Sequence, residues 1–284
     1  MMNEENDLTR QNEKVILALI GSPRKLGNCE VLVKEISERL ETAHVLKLIR
    51  MPPLNIRSCS ACYGCIMDQV CPQKDDMNFL LDHIAEADGY IIASPVYFLG
   101  AHSIFKRILD RGFLLYNILE STYGKPCILL NLYGMEERIG AAPHTLMTLA
   151  SFLGLRIKAS VNVKAALPGE VLLDKKIALK ARKLANDLFS EAKERHAHGC
   201  PFCGCEIVRM DKKEFCCTLC HGRFMIGPSG KPIRVREGKI FGAPEYMLLH
   251  KTWLSGMKQE FLKTKKEILR TTLPYKDTGE WIVP

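Results

Sequence analysis

Lys14-Val15-Ile16-Leu17-Ala18-Leu19-Ile20, running directly into Gly21-Ser22-Pro23-Arg24-Lys25-Leu26-Gly27-Asn28-Cys29, decides how the rest of this chain is read. An apolar run without polar alternation, closed by a Gly-Ser-Pro turn, predicts a strand buried on both faces. A helix should follow, because Val31, Leu32, Ile36 and Leu40 recur at helical spacing. Buried strand, tight loop and helix together form the opening unit of a parallel sheet.

The alternation continues outward to residue 195. Val45–Ile49, Tyr90–Ser94, Pro126–Tyr133 and Leu155–Val163 predict four more strands. Helices are expected from Met77, capped by Asp75 or Asp76, and over Ile104–Leu115, Thr145–Leu153 and Val171–Arg195. Five apolar strands separated by helices give an α/β fold with right-handed crossovers. Ligands of such sheets bind beyond the carboxyl ends of the strands, so the loops after strands one, three and four are the places to search.

With 284 residues, 47% hydrophobic and 25% charged, the chain has material for one large or two unequal domains. This composition excludes a disordered or collagen-like chain. No apolar run approaches the ~20 residues of a membrane span, and the polar start has no signal-peptide core, so a cytoplasmic protein is expected. The net charge is +8, and most of the excess falls after residue 198, which marks a boundary there. The segments read as a polar tail (1–13), a sheet domain (14–198) with a cysteine loop (55–76), a metal-stapled segment (199–241), and a basic helix with the C-terminal tail (242–284).

The loop 21–29 is neither a Walker A loop nor a GxGxxG fingerprint. A loop entering a helix nevertheless exposes unpaired N–H groups at the positive end of the helix dipole. Ser22, Asn28 and Arg24 add donors suited to a phosphate monoester. An ordinary strand-to-helix turn is the other reading of the same residues.

Of the 12 cysteines, ten fall in two clusters, which in a reducing compartment points to metal ligation or redox work rather than disulfides. Cys200-Pro201-Phe202-Cys203 and Cys217-Thr218-Leu219-Cys220 form two CxxC pairs, the signature of a zinc ribbon with four thiolates around one ion. Iron in a rubredoxin-like site is the alternative, and Cys205, Cys216 and His221 are spare candidates. Ile233–Val235 and Lys239–Phe241 are expected to pair as short strands. Trp253–Arg270 reads as a basic amphipathic helix whose apolar side packs and whose lysines are solvated. Nothing in it resembles a nucleic-acid-binding motif, and a nucleic-acid or membrane partner is not expected.

Ala93-Ser94-Pro95-Val96-Tyr97-Phe98 at the end of strand three, with Lys106, Asp110 and Arg111 on the next helix, completes a pattern begun by the loop 21–29. This combination resembles the flavodoxin-like NAD(P)H-dependent FMN reductase family, and within it the iron-sulfur flavoproteins, over about residues 14–195. The resemblance implies a doubly wound five-stranded parallel sheet of order 2-1-3-4-5 with FMN at its carboxyl edge. It implies that Ser22, Arg24, Gly27, Asn28 and Cys29 hold the phosphate, with Cys29 replacing the Ser or Thr commonly found there. Pro95, Val96, Tyr97 and Phe98 would line the flavin ring, and Tyr133 and Gly134 would close its other side.

The spacing Cys59-x2-Cys62-x2-Cys65-x5-Cys71 is similar to that of the iron-sulfur flavoproteins, which implies a [4Fe–4S] cluster on these four thiolates. Free structural thiols or another metal fit the same residues. The resulting expectation is an FMN-dependent oxidoreductase fed by NAD(P)H or a reduced ferredoxin, with a small-molecule or protein acceptor. A homodimer or homotetramer and a Zn2+-bearing ribbon complete it. Two rivals stand beside it: a cluster-free NAD(P)H:FMN/quinone reductase, and a redox-responsive binding module using the ribbon and the basic helix.

Overall fold

A computed structural model describes residues 13–67, 69–191, 199–239, 244–276, 278 and 282. The buried run becomes β1 (Lys14–Ile20), flanked on one side by β2 (His44–Arg50) and on the other by β3 (Gly89–Tyr97). A two-residue strand, β4 (Gly100–Ala101), folds back antiparallel on the end of β3. β5 (Pro126–Tyr133) and β6 (Arg156–Lys164) complete the sheet. Its order, β2-β1-β3-β5-β6 with every one of these neighbours parallel, is the expected 2-1-3-4-5 of a flavodoxin-like sheet.

Successive side chains of a strand point to opposite faces, so a doubly covered sheet divides its apolar residues between two layers. Ile16, Ala18, Ile20, Ile91, Ala93, Ile128 and Leu130 face one layer, covered by α1 (Asn28–Glu38) and a later helix, Lys175–Leu188. Leu17, Leu19, Tyr90, Ile92, Cys127 and Leu129 face the other, covered by α2 (Met77–Glu86), α3 (Ser103–Asp110) and a helix over Ala142–Phe152. In chain order a short α4 (Leu119–Thr122) precedes the last of these, α5, and Lys175–Leu188 is α6. Each fully buried Leu or Ile contributes roughly 1.5–3 kcal/mol relative to exposure.

Three local readings differ from expectation. The single helix expected over Ile104–Leu115 stops at Asp110 and continues as 3-10 turns over Gly112–Ile118. Arg111 sits at that break, its side chain drawn into the protein. α6 ends at Leu188, and the expected extension toward Arg195 lies largely outside the described residues. Asp75 rather than Asp76 serves the start of α2, accepting from the Met77 amide at 3.2 Å, while Asp76 accepts from the Asn55 amide at 2.7 Å.

Beyond residue 198 a second, antiparallel sheet forms in the order β10-β9-β8-β7, from β7 (Val208–Asp211), β8 (Glu214–Cys217), β9 (Arg223–Ile226) and β10 (Pro232–Arg236). Ile233–Val235 is therefore a strand, but its partner is β9; most of the partner expected over Lys239–Phe241 lies outside the described residues. The C-terminal helix α7 (Pro244–Thr272) is longer than expected and crosses the cysteine loop. His250 lies 5.8 Å from Phe113 between ring centroids and bonds Tyr116 at 2.6 Å. No helix among the described residues is long and apolar enough to cross a membrane.

Candidate functional site

The order 2-1-3 brings the ends of β2, β1 and β3 side by side, and the site is built from the loops that leave them. Gly21 leaves β1 with its amide donating to the Ala93 carbonyl of β3 at 2.7 Å. A Cβ on Gly21 would lie 2.5 Å from the Phe105 ring, so only glycine lets the turn sit this close to α3. The first-turn amides of α1 have no intrahelical acceptor and open onto the loop. Ser22 is buried beneath it, its Oγ accepting from the Arg24 amide at 3.3 Å. Arg24 is exposed, and Gly27 takes the position before the helix.

Two of the expected phosphate donors have side chains engaged elsewhere. The Asn28 amide donates to the Leu167 carbonyl at 2.9 Å and accepts from the Val171 amide at 3.1 Å, tying α1 to the loop after β6. Cys29 is buried in the sheet layer, and burial pushes its thiol up to about 12.

Sequence reasoning missed the clamp beneath this loop. Arg50, paired with Ile20 in the strand register, donates to the Ser22 carbonyl at 3.0 Å, the Arg24 carbonyl at 2.7 Å and Glu30 Oε2 at 2.6 Å. Glu30 also accepts from the Leu26 amide at 2.9 Å and from Lys34 at 2.7 Å. The Lys34 bond, opposed by burial and aided by Arg50 and Leu26, holds the Glu30 carboxyl down to about 2. An Arg ending the strand next to the loop was the available signal.

At the end of β3, Val96 pairs with Ala101 and Tyr97 with Gly100, leaving Phe98 and Leu99 as a two-residue turn. Both have positive φ, 47° and 64°, the geometry of a type I′ turn that usually takes Asn-Gly. Phe98 is fully exposed, and Tyr97 stands beside it with its ring 5.9 Å from His102. The Leu99 carbonyl accepts from the Ala141 amide at 2.7 Å, and a Cβ on Gly140 would lie 2.2 Å from that carbonyl oxygen. Pro95 and Val96 are half-buried on the strand, and Pro95 is in register with Leu132, one residue before Tyr133 and Gly134. The expected segments around Ser22, Pro95 and Tyr133 thus meet at one sheet edge.

The cysteine loop forms a cavity of about 360 Å³ whose lining includes Cys59, Cys62, Cys65 and Cys71 together. Hydrogen bonds from the Gly64 amide and Ser60 hold the Cys62 thiol below its usual value. Burial, and then the neighbouring thiols, push Cys65 up. Arg111 closes the wall at 3% exposure, its Nη1 donating to Asp75 and its Nη2 to Cys71 Sγ at 3.4 Å. Burial pushes the Asp75 carboxyl up, but the Arg57 amide, Arg111 and the Met77 amide outweigh it and hold it below its usual value.

The second cluster is tighter. Cys200, Cys203, Cys217 and Cys220 are buried with their Sγ atoms all within 4.8 Å, and are the only such group among the described residues. The Cys200–Cys220 and Cys203–Cys217 separations are both 3.6 Å, against ~3.8 Å for thiolates placed tetrahedrally at 2.3 Å from one ion. Amides of Leu219 and Gly222 donate to the sulfurs of Cys217 and Cys220 at 3.4 Å. Cys59, Cys62, Cys65 and Cys71 do not form such a close group.

The profile of the NADPH-dependent FMN reductase family matches residues 15–166. An iron-sulfur flavoprotein of Archaeoglobus fulgidus is 27% identical over 159 residues, covering 55% of this chain and 70% of that protein. An iron-sulfur flavoprotein of Methanocaldococcus jannaschii is 34% identical over 98 residues, covering 34% of this chain and 51% of its own length. Among solved structures, one titled flavone reductase superposes with a TM-score of 0.71 at 17% identity, covering 95% of this chain and 99% of that one. At that identity the likeness speaks for shared fold, and its coverage extends past the parallel sheet into the C-terminal segments.

Proposed function

Because the chain belongs to the NADPH-dependent FMN reductase family and is thereby a flavin-dependent oxidoreductase, we propose that it works in the manner of an iron-sulfur flavoprotein. In this reading it takes electrons from NAD(P)H or a reduced ferredoxin and delivers them to a small-molecule or protein acceptor. FMN occupies the sheet edge, a [4Fe–4S] cluster the cysteine-lined cavity, and Zn2+ the C-terminal four-cysteine site. When bound, the flavin supplies hydride and two-electron chemistry and the cluster supplies one-electron exchange.

The residues divide that work. Ser22 Oγ, Arg24 and the amides of Gly27, Asn28 and Cys29 hold a phosphate monoester, while Arg50 and Glu30 keep the loop open for it. Pro95 and Val96 present strand backbone to a planar ring; Tyr97 and Phe98 cover it from water, with Tyr133 and Gly134 on its other side. Cys59, Cys62, Cys65 and Cys71 ligate iron, and Cys200, Cys203, Cys217 and Cys220 ligate zinc. We assign residues 14–198 to the flavin domain, 199–241 to the ribbon and 242–284 to the helical C-terminal segment, in a cytoplasmic homodimer or homotetramer.

The observation that carries the cluster assignment is that four thiols 12 residues apart at most line one cavity together with a buried cation. Four thiolates and a cluster carry net negative charge, and Arg111 supplies the compensation such a site needs. Anaerobic isolation should give bound FMN, with iron and acid-labile sulfide near four per chain. Cys62→Ser should lose most of the iron and keep the flavin. Protein that retains FMN but takes up no iron after anaerobic treatment with ferrous iron and sulfide would instead be the cluster-free reductase.

A further inference from the structure

The Arg111–Asp75 pair is buried more completely than any other ion pair found among the described residues, with side chains only 2% and 1% exposed. A buried ion pair is a poor device for stability alone, because desolvation offsets most of the attraction. This pair is also unequal. Asp75 is fully engaged, accepting from Arg57, Met77 and Arg111. Arg111 is not: its Nε is buried without any hydrogen-bond partner, while Nη2 is committed to Cys71 Sγ. An orphaned buried N–H is costly, and buried N–H groups are nearly always paired in folded proteins. A guanidinium in the wall of a thiol-lined cavity, its Nη2 bonded to one of the four thiols, bears directly on whatever those thiols hold.

We propose that Arg111 is the positioning residue of the cluster, fixing Cys71 as a ligand and raising the cluster's reduction potential, with Asp75 as the counter-charge that moderates it. The proposal rests on the cluster reading given above. Its physics is simple. Reduction adds one electron and makes the thiolate-bound cube one unit more negative. A fixed cation in a low-dielectric wall, and hydrogen bonds to a ligand sulfur, both favour that more negative state. A carboxylate behind the guanidinium works in the opposite direction. Removing Arg111 should therefore lower the potential, and neutralising Asp75 should raise it. Loss of a merely structural tie would shift both the same way or neither.

The test uses the full chain, reconstituted anaerobically with ferrous iron and sulfide. The cluster's paramagnetic signal is followed while dithionite, as electron donor, lowers the potential stepwise. Arg111→Gln should lower the ratio of reduced to oxidised cluster at a fixed potential at least tenfold relative to the parent, a shift of ~59 mV for a one-electron couple. Asp75→Asn should shift the midpoint the other way. Arg111→Lys, which keeps the charge but not the fork, should fall between parent and Gln. If Arg111→Gln does not fold or load, the Asp75→Asn shift decides alone. Fully loaded variants with the parent's midpoint, or shifts of one sign in both, overturn the proposal. A parent protein that takes up no iron overturns the cluster reading itself, and the role of Arg111 with it.

Discussion

At the scale of single residues, the loop after β1, the proposed phosphate site, depends on charges the sequence did not single out. Glu30 joins Lys34, Arg50 and the Leu26 amide, and its carboxyl is held down to about 2. A carboxyl depressed in the folded state adds stability above its unfolded value, about 4.3, and that stability fades as pH falls toward about 2. FMN retention, followed by flavin fluorescence, should therefore decline across that interval, and Glu30→Gln should bind more weakly at neutral pH with a flatter acid limb. Coincident curves for the two proteins would remove Glu30 from the clamp. Phe98 and Leu99 offer a second test, since left-handed backbone at non-glycine residues costs of order 1–3 kcal/mol each. Replacing the pair by Asn-Gly should raise the melting midpoint by several degrees and weaken FMN binding roughly tenfold, equivalent to about 1.4 kcal/mol. A more stable variant with undiminished binding would show that the two side chains do not serve the flavin. The placement of Ser22, Gly27 and Pro95–Phe98 at the carboxyl ends of neighbouring strands was legible because the apolar runs before them mark β1 and β3. The diversion of the Asn28 and Cys29 side chains was not, because their partners lie in the loop after β6 and in the sheet layer, distant in sequence.

At the scale of elements, the parallel strands announced themselves as apolar runs, and their register fixed which loops would meet. β4 escaped notice because two residues carry no periodicity, and its pairing with β3 is what presents Phe98. The helix expected through Leu115 ends at Asp110, followed by Arg111, whose side chain is drawn inward to Asp75, a partner 36 residues earlier, and by Gly112. The gathering of Cys200, Cys203, Cys217 and Cys220 was legible from their CxxC spacing, whereas the strand pairing around them was not, since β10 pairs with β9 across the Gly227–Gly230 turn. Structural zinc supplies roughly 10–16 kcal/mol of folding free energy in small domains. Cys203→Ser should accordingly abolish zinc binding and expose residues 199–236 to protease, while FMN stays bound. Unchanged zinc content would remove Cys203 from the ligand set.

At the scale of the whole molecule, two apolar layers sandwich the sheet, and the buried cysteines and Phe224 of the second sheet region are continuous with the layer beneath α2, α3 and α5. Helix α7 then crosses the cysteine loop, meeting the chain through His250 and the Phe113–Tyr116 pair. Its apolar side was expected to pack along its length, yet Trp253, Met257, Phe261 and Ile268 remain exposed. That difference could not be read from amphipathic spacing, which gives the face of a helix but not what lies opposite it. The arrangement as a whole sets the proposed phosphate loop and a thiol-lined cavity among the loops that follow the parallel strands, with a buried four-thiol group in the second sheet region. Crystals of anaerobically prepared protein, measured at the iron and zinc absorption edges, test this most directly. Iron should scatter anomalously from the cavity bounded by Cys59, Cys62, Cys65, Cys71 and Arg111, zinc from the Cys200–Cys220 site, and flavin density should border Ser22 and Tyr97. Flavin density elsewhere, or an iron-free cavity in protein that carries its full complement of iron, would contradict the account.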